Sequence, residues 1–259
     1  MKLQFLGTGA AGSYKTPECE MKPGRRRCAA MLFDDNVLVD CSLQAYDYAV
    51  KLGRDPSAVT DIFLSHAHGD HLSLTALKSY NDAAKQPIRF WCHHTTAEWL
   101  KPLLGDDYPN ILVCPVETRE PWEAAGMTVT ALPANHMVDN GKQQPVHFIF
   151  EKDGKKLYYA TDGGWFRAEA WEYLRKDITF DGVIFDATDG DWAGSHRIGT
   201  HNGYPMLKLM LIAMRDNGMT REDTVIIADH FCMGPDDPNL EIYREIGMIP
   251  AYDGFTIEI

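Results

Sequence analysis

The run Ser65-His66-Ala67-His68-Gly69-Asp70-His71 puts four side chains able to bind a metal within six residues. His66 and His68 are two apart, so in an extended segment both imidazoles point the same way and can reach one ion. Helical geometry would separate them, which distinguishes this spacing from the HExxH pattern whose ligands share a helix face. Asp70 and His71 then enter a turn to which Gly69 gives freedom, and there Asp70 can face a second ion beside the first. Packing so many protonatable groups together without a metal would be costly in desolvation and repulsion, so a purely structural role is disfavoured.

Two ions need further ligands, and the sequence offers three, each in a loop just beyond a β-rich run. His136 follows Met127 to Leu132, Asp162 follows Lys156 to Ala160, and His230 follows Thr224 to Ala228. Singly each is weak; their order and their strand-end placement make the set specific.

The elements that must position these residues are read from periodicity. Further β-rich runs span Leu3 to Leu6, Ala30 to Val39, Asp61 to Leu64, Ile88 to Cys92, Val146 to Glu151 and Gly182 to Phe185. Helical spacing marks Leu43 to Leu52, Leu74 to Lys85, Thr95 to Leu104, Arg167 to Arg175 and Pro205 to Asn217. In the last of these, apolar residues cover most of the circumference, which predicts packing on more than one side. Strands mixed with helices mean α/β layers. The length suits one large domain, 1–259, without a fixed-period repeat or a dividing linker.

The ligand order HxHxDH, then a histidine, an aspartate after a strand and a late histidine resembles the metallo-β-lactamase superfamily. The opening Leu6-Gly7-Thr8-Gly9-Ala10-Ala11-Gly12, with Arg25-Arg26-Arg27 and Leu38-Val39-Asp40, is similar to the branch containing ribonuclease Z and the phosphodiesterase that accompanies carbon-phosphorus lyase. The resemblance implies a four-layer αββα sandwich. It also implies that His66, His68 and His136 hold one metal, that Asp70, His71 and His230 hold the other, and that Asp162 bridges them. Such a ligand set suits two divalent ions, zinc foremost, with manganese or iron as alternatives. True β-lactamases lack the bridging aspartate, so antibiotic hydrolysis is not implied. The N-terminal cysteine cluster of the carbon-phosphorus lyase enzyme is not matched, since only Cys19 and Cys28 fall there, and no long basic, glycine-rich insertion of the ribonuclease Z kind is present.

Two ions a few ångströms apart lower the pKa of a shared water and polarise the substrate oxygen, and Asp70 can orient that nucleophile as well as bind metal. A phosphodiester also needs a proton or a cation at its departing alkoxide. His201, in Gly199-Thr200-His201-Asn202-Gly203 before a helix, resembles the histidine that serves as general acid or phosphate clamp in the phosphodiesterase branch, with His196 as its rival. Asp40 resembles the carboxylate that orients a ligand imidazole, or else simply forms a turn. His93 and His94 read as a surface loop and His147 as a satisfied core histidine. Asp186, Asp189 and Asp191 either line the cleft or cap a turn, and stand outside the catalytic set.

Composition narrows the partner. Apolar residues make up 45% of the 259 and charged residues 24%, values that suit a compact fold. A net charge of −12 repels polyanions, so nucleic acid is disfavoured though still possible. The departures from both resembled enzymes favour a small-molecule phosphodiester, such as a cyclic nucleotide or cyclic sugar phosphate. Lys22 with Arg25, Arg26 and Arg27 forms the densest basic cluster, read as a solvated loop or as a local attraction for phosphate. The six cysteines lack a CxxC pair and read as mostly buried, reduced thiols. With no signal-like leader and no apolar run near the ~18 residues that span a bilayer, a cytoplasmic enzyme without membrane contact is expected, and a homodimer stays open.

The competing functions are thioester or lactone hydrolysis of the hydroxyacylglutathione hydrolase type, a ribonuclease Z-like endonuclease, and a non-catalytic metal- or nucleotide-binding protein on the same fold. A catalytic His201 would favour the phosphodiester, because a thiol leaving group needs no acid.

Overall fold

The computed structural model describes residues 1–11, 25–192 and 195–259. One seven-stranded sheet holds β1 (Lys2–Gly7), β2 (Ala30–Phe33), β3 (Val37–Val39), β4 (Asp61–Phe63), β5 (Ile88–His93), β6 (Ile111–Val116) and β14 (Thr256–Glu258), in the order β14-β1-β2-β3-β4-β5-β6. The other holds β7 (Trp122–Ala124), β8 (Met127–Pro133), β9 (Val146–Lys152), β10 (Lys155–Ala160), β11 (Gly182–Asp186), β12 (Val225–Asp229) and β13 (Ile249–Pro250), in the order β13-β12-β11-β10-β9-β8-β7.

Alternation along the strands stacks the layers. Phe63, Tyr159, Ile184 and Ile227 point inward with Leu3, Phe33, Phe148 and Phe150, making the core between the sheets. Their neighbours Ile62, Tyr158, Val183 and Ala228 point outward, where helices cover them. Helices α1 (Ala45–Lys51), α2 (Leu74–Ala83) and α3 (His94–Leu104) bury Ala49, Leu77, Tyr80 and Leu100 on the first sheet. Helices α4 (Ala168–Leu174), α5 (Tyr204–Asp216) and α6 (Glu241–Glu245) bury Leu174, Leu207, Met210 and Tyr243 on the second. The result is the αββα sandwich.

Three readings of the sequence need correction. Ala30 to Val39 is a hairpin and not one strand: Asp34 and Asp35 take φ of 47° and 65°, so the chain reverses and Phe33 pairs with Val37. Strand β6 escapes the periodicity because Pro115 interrupts it, and a proline is tolerated here because β6 is an edge strand. Helix α5 buries one face only. Leu207, Met210, Leu211 and Met214 are inside, while Leu209 and Ile212 are 56% and 49% exposed.

Both sheets run parallel where the site is built: β3, β4 and β5 in one, β10, β11 and β12 in the other. Their C-terminal ends meet along one edge of the sandwich, the place where open α/β sheets present loops to a ligand. Among the described residues no helix is long and apolar enough to cross a membrane.

Candidate metal centre

Each sequence-predicted ligand lies just past a strand end. The 65–71 run follows β4, His136 follows β8, Asp162 follows β10 and His230 follows β12. Asp162 and His230 have φ of 62° and 60°, and Asp40, beyond β3, has φ of 59°. Three non-glycine residues in the left-handed region at one site are uncommon, and Asp and His are among the side chains that tolerate it best. This backbone turns the side chains off the sheet edges toward one another.

The structure brings all seven together in two overlapping groups, His66, His68, His136 and Asp162 in one, and Asp70, His71, Asp162 and His230 in the other. In the first, His66 Nε2 and His136 Nε2 lie 3.0 and 3.1 Å from His68 Nδ1. In the second, His71 Nε2 is 3.0 Å from His230 Nε2, and Asp70 Oδ2 is 3.4 Å from His230 Nε2. Asp162 Oδ2 belongs to both, 3.1 Å from His66 Nε2 and 3.1 Å from His71 Nε2. His68 and His136 are half-buried and the other five are buried.

The outward-facing nitrogens of four imidazoles reveal which tautomers are held. His136 Nδ1 lies 3.0 Å from the Thr200 carbonyl, which can only accept, so Nδ1 carries the proton. His71 Nδ1 faces Asp40 Oδ2 at 2.8 Å. Thr188 donates its hydroxyl to the His230 carbonyl at 3.0 Å and so accepts from His230 Nδ1 at 2.7 Å. Ser65 donates to Asp40 at 2.8 Å and accepts from His66 Nδ1 at 3.1 Å. The four Nε2 atoms are thereby aimed inward at one another and at a carboxylate. Burial opposes charge on His71 and His230, yet Asp40 and Asp70 raise the first and Asp162 and Asp70 the second, so a cation binding there would displace protons from them. Nitrogens on one tetrahedral ion would stand roughly 3.4 Å apart, by the usual metal–nitrogen length. The donor set therefore fits divalent metal at both groups.

Charge is arranged to match. Burial works against an ionised Asp162, but His230 and His136 outweigh it and hold the carboxyl well below the usual range. His66 is pushed down, by burial first and then by His71, so it stays neutral.

His201 stands at the mouth. Its Nδ1 is 2.9 Å from Asp162 Oδ1 and 2.9 Å from Asp186 Oδ2, leaving Nε2 as the nitrogen available to a substrate. Burial opposes its charge, yet the two carboxylates raise it to about 11. Asp186, the last residue of β11, also accepts from the Gly163 and Thr188 amides at 3.1 and 2.7 Å, so one buried carboxylate braces three loops. A cavity of about 430 Å³ opens above, lined among others by Asp70, Asp162, His201, Arg197 and Cys232.

Asp40 is wholly buried beneath His71, and the orienting role suits it better than the turn-forming one. His196 is exposed against Trp192, outside the cluster. His147 is a core residue with Nδ1 3.0 Å from the Tyr158 hydroxyl. His93 and His94 are not a surface loop: His93 is buried where β5 meets α3, and both face Glu117, His94 at 2.7 Å. The basic cluster is corrected too. Lys22 lies outside the described residues and Arg25 is exposed, but Arg26 and Arg27 are buried. Arg26 donates to Thr8 Oγ1 and the Ala251 carbonyl, both at 2.7 Å, and Arg27 pairs with Asp253 at 3.2 Å. They tie β1 to the loop before β14 instead of meeting solvent. Of the cysteines described, Cys28, Cys41 and Cys92 are buried, Cys114 is half-buried, Cys232 is exposed and all five are free; Cys19 lies outside the described residues.

Sequence reasoning set aside Asp186 and did not find Thr188 or Arg197. The strand-end position that singled out Asp162 and His230 applies equally to Asp186, on the strand between theirs.

Fold and site together define a hydrolase-type metal centre on an αββα sandwich. The chain belongs to the metallo-β-lactamase superfamily: residues 35–226 match the family model described as the beta-lactamase superfamily domain. It is 30% identical over 119 residues to ribonuclease Z of Methanococcus maripaludis, a match covering 43% of this chain and 35% of that protein. Among solved structures it resembles the metallo-beta-lactamase fold protein YhfI from Bacillus subtilis, with 14% identity, a TM-score of 0.75, and 100% and 99% of the two chains covered. It also resembles a diphosphatase from the PhnP family, with 20% identity, a TM-score of 0.74, and 100% and 96% covered. For the short form of human tRNase Z the values are 18%, 0.69, and 100% and 99%.

Proposed function

We propose that this chain is a binuclear metal-dependent phosphodiesterase for a small substrate, with His66, His68 and His136 on one ion, Asp70, His71 and His230 on the other, and Asp162 shared. The observation that carries the reading is His201, an imidazole whose Nδ1 is anchored on two carboxylates 2.9 Å away while its other nitrogen serves the cavity. When bound, divalent ions there supply Lewis acidity, activating water and neutralising charge on a phosphate oxygen.

The chain's own residues do the rest. Asp162 and Asp70 give the negative charge that retains cations, and Asp70 accepts a hydrogen bond from the attacking water. His201 Nε2 holds a proton at the departing oxygen, with Asp186 fixing the ring and favouring its protonated form. A thioester would leave without that proton. The relatives named ribonuclease Z and diphosphatase act on phosphate linkages, which supports the same chemistry. The excess of acidic side chains favours a small substrate over a long nucleic acid.

The test is metal analysis with a substrate panel. The expected results are close to two equivalents of transition metal per chain, and turnover of bis(p-nitrophenyl) phosphate and 2′,3′-cyclic nucleotides. One equivalent or none would overturn the binuclear assignment, and cleavage of thioesters alone would overturn the phosphodiesterase.

A further inference from the structure

The turn that delivers His201 also delivers a cation. Thr200 and His201 both donate their amides to the Arg197 carbonyl, at 2.7 and 2.9 Å, so the two side chains spring from one tight turn. Arg197 Nη2 is gripped by Asp189 Oδ1, a carboxylate only 2% exposed that lies three residues beyond Asp186. Asp189 is itself fixed, its amide donating to the Asn202 carbonyl at 3.0 Å. The arginine side chain remains 36% exposed and lines the same cavity as Asp70, Asp162 and His201. Among the described residues lining that cavity it is the one with a permanent positive charge.

A guanidinium has five N–H donors in a rigid fork; the bond to Asp189 engages one nitrogen, and the Cys232 sulfur at the cavity wall takes a further donor, which leaves part of the fork for a ligand. A buried carboxylate on one side and a cavity on the other is the arrangement that presents the remaining donors to an oxyanion. Position decides which oxyanion. In the phosphodiesterase reading His201 serves the departing oxygen, and Arg197 springs from the same turn and lines the same cavity, which favours the departing side of the scissile bond for the cation.

We infer that Arg197 is a specificity-determining clamp for a departing group that ends in phosphate, which makes disubstituted diphosphates the preferred substrate class. The inference rests on the phosphodiesterase reading. The water oxygen joins one phosphorus and the bridging P–O bond breaks with its electron pair kept by the departing phosphate. One water proton passes to that phosphate and the other stays on the phosphate that was attacked, giving two monoesters. A departing phosphate is weakly basic and doubly charged, so it gains more from a fixed cation than from a proton.

The experiment compares P1,P2-di(5′-thymidyl) diphosphate with bis(p-nitrophenyl) phosphate in the metal-loaded wild type, Arg197→Ala and Arg197→Lys. Arg197→Ala is expected to lower kcat/KM for the diphosphate at least 30-fold more than for the nitrophenyl diester, with Arg197→Lys between the two. Equal losses on both substrates overturn the clamp. Calorimetry with inorganic pyrophosphate and orthophosphate reads the clamp without turnover. Pyrophosphate should bind the wild type at least tenfold more tightly than orthophosphate, and Arg197→Ala should erase that difference; a preference that is missing, or that survives the substitution, overturns the clamp. If neither ester is hydrolysed, the phosphodiesterase reading fails while the pyrophosphate comparison still decides the role of Arg197.

Discussion

Asp40 Oδ2 sits 2.8 Å from His71 Nδ1, with both side chains wholly buried. The same oxygen takes the Tyr159 hydroxyl at 3.0 Å, and Asp40 Oδ1 takes the Ser65 amide and hydroxyl at 2.8 Å each. One carboxylate therefore aims His71 directly and His66 through Ser65, joining the two candidate metal groups from beneath.

Asp40→Asn tests that arrangement. Asparagine keeps the shape and tolerates the φ of 59°, but it puts an amide or a weaker acceptor against His71 Nδ1. Metal affinity is expected to fall about 10- to 100-fold, the usual cost of losing a carboxylate behind a ligand imidazole. Chelator competition measures it. An unchanged affinity with the fold intact would show that Asp40 only closes a turn.

Asp186→Asn addresses the mouth of the site in the same way. Nδ1 of His201 loses one of its two anionic partners, so the ring is less well held and its charged form less favoured. A departing alkoxide needs the proton and p-nitrophenolate does not. The expected result is a kcat loss of roughly tenfold or more on 2′,3′-cyclic nucleotides and a smaller loss on bis(p-nitrophenyl) phosphate, with His201→Ala showing the same contrast more strongly. Equal losses on both substrates would reduce Asp186 to a brace for the Gly163 and Thr188 loops.

The seven side chains the structure gathers were legible in the sequence because metal ligands come from a short list of side chains, His, Asp, Glu and Cys, and because His and Asp recur here just beyond β-rich runs. The strands next to them were legible because Phe63, Tyr159 and Ile184 alternate with residues that face the helices. What supports the ligands was harder to read. Ser65 and Thr188 are ordinary hydroxyls until a folded chain places them against an imidazole. Asp40 and Asp186 look like any turn aspartate. Arg26 and Arg27 look solvated in a row of basic residues, and only the loops at Thr8 and Asp253, more than two hundred residues apart in sequence, make a buried place for them. Local pattern carries the elements and the ligands, whereas long-range contact decides which polar residues go inside.

His93 gives a pH dependence that lies outside the metal centre. Its imidazole is buried at the start of α3, where Nδ1 accepts from the Thr95 amide at 3.3 Å. Burial, and then His94, push it down to about 4 from 6.5, with Glu117 opposing. The folded protein keeps the ring neutral where the unfolded chain would already be protonated. Between pH 6.5 and about 4 the unfolded state therefore binds more protons, and stability falls as the pH is lowered through that window. The loss from this residue is at most on the order of 3 kcal/mol at 1.36 kcal/mol per pKa step. Above pH 6.5 the contribution is fully present, and below about 4 no further loss comes from it. His93→Asn keeps an acceptor for the Thr95 amide but cannot titrate. Urea unfolding of the two proteins at a series of pH values should show the stability difference shifting in favour of the variant as the pH falls from 6.5 to 4. A constant difference across that range would show that His93 is protonated equally in the folded and unfolded chains.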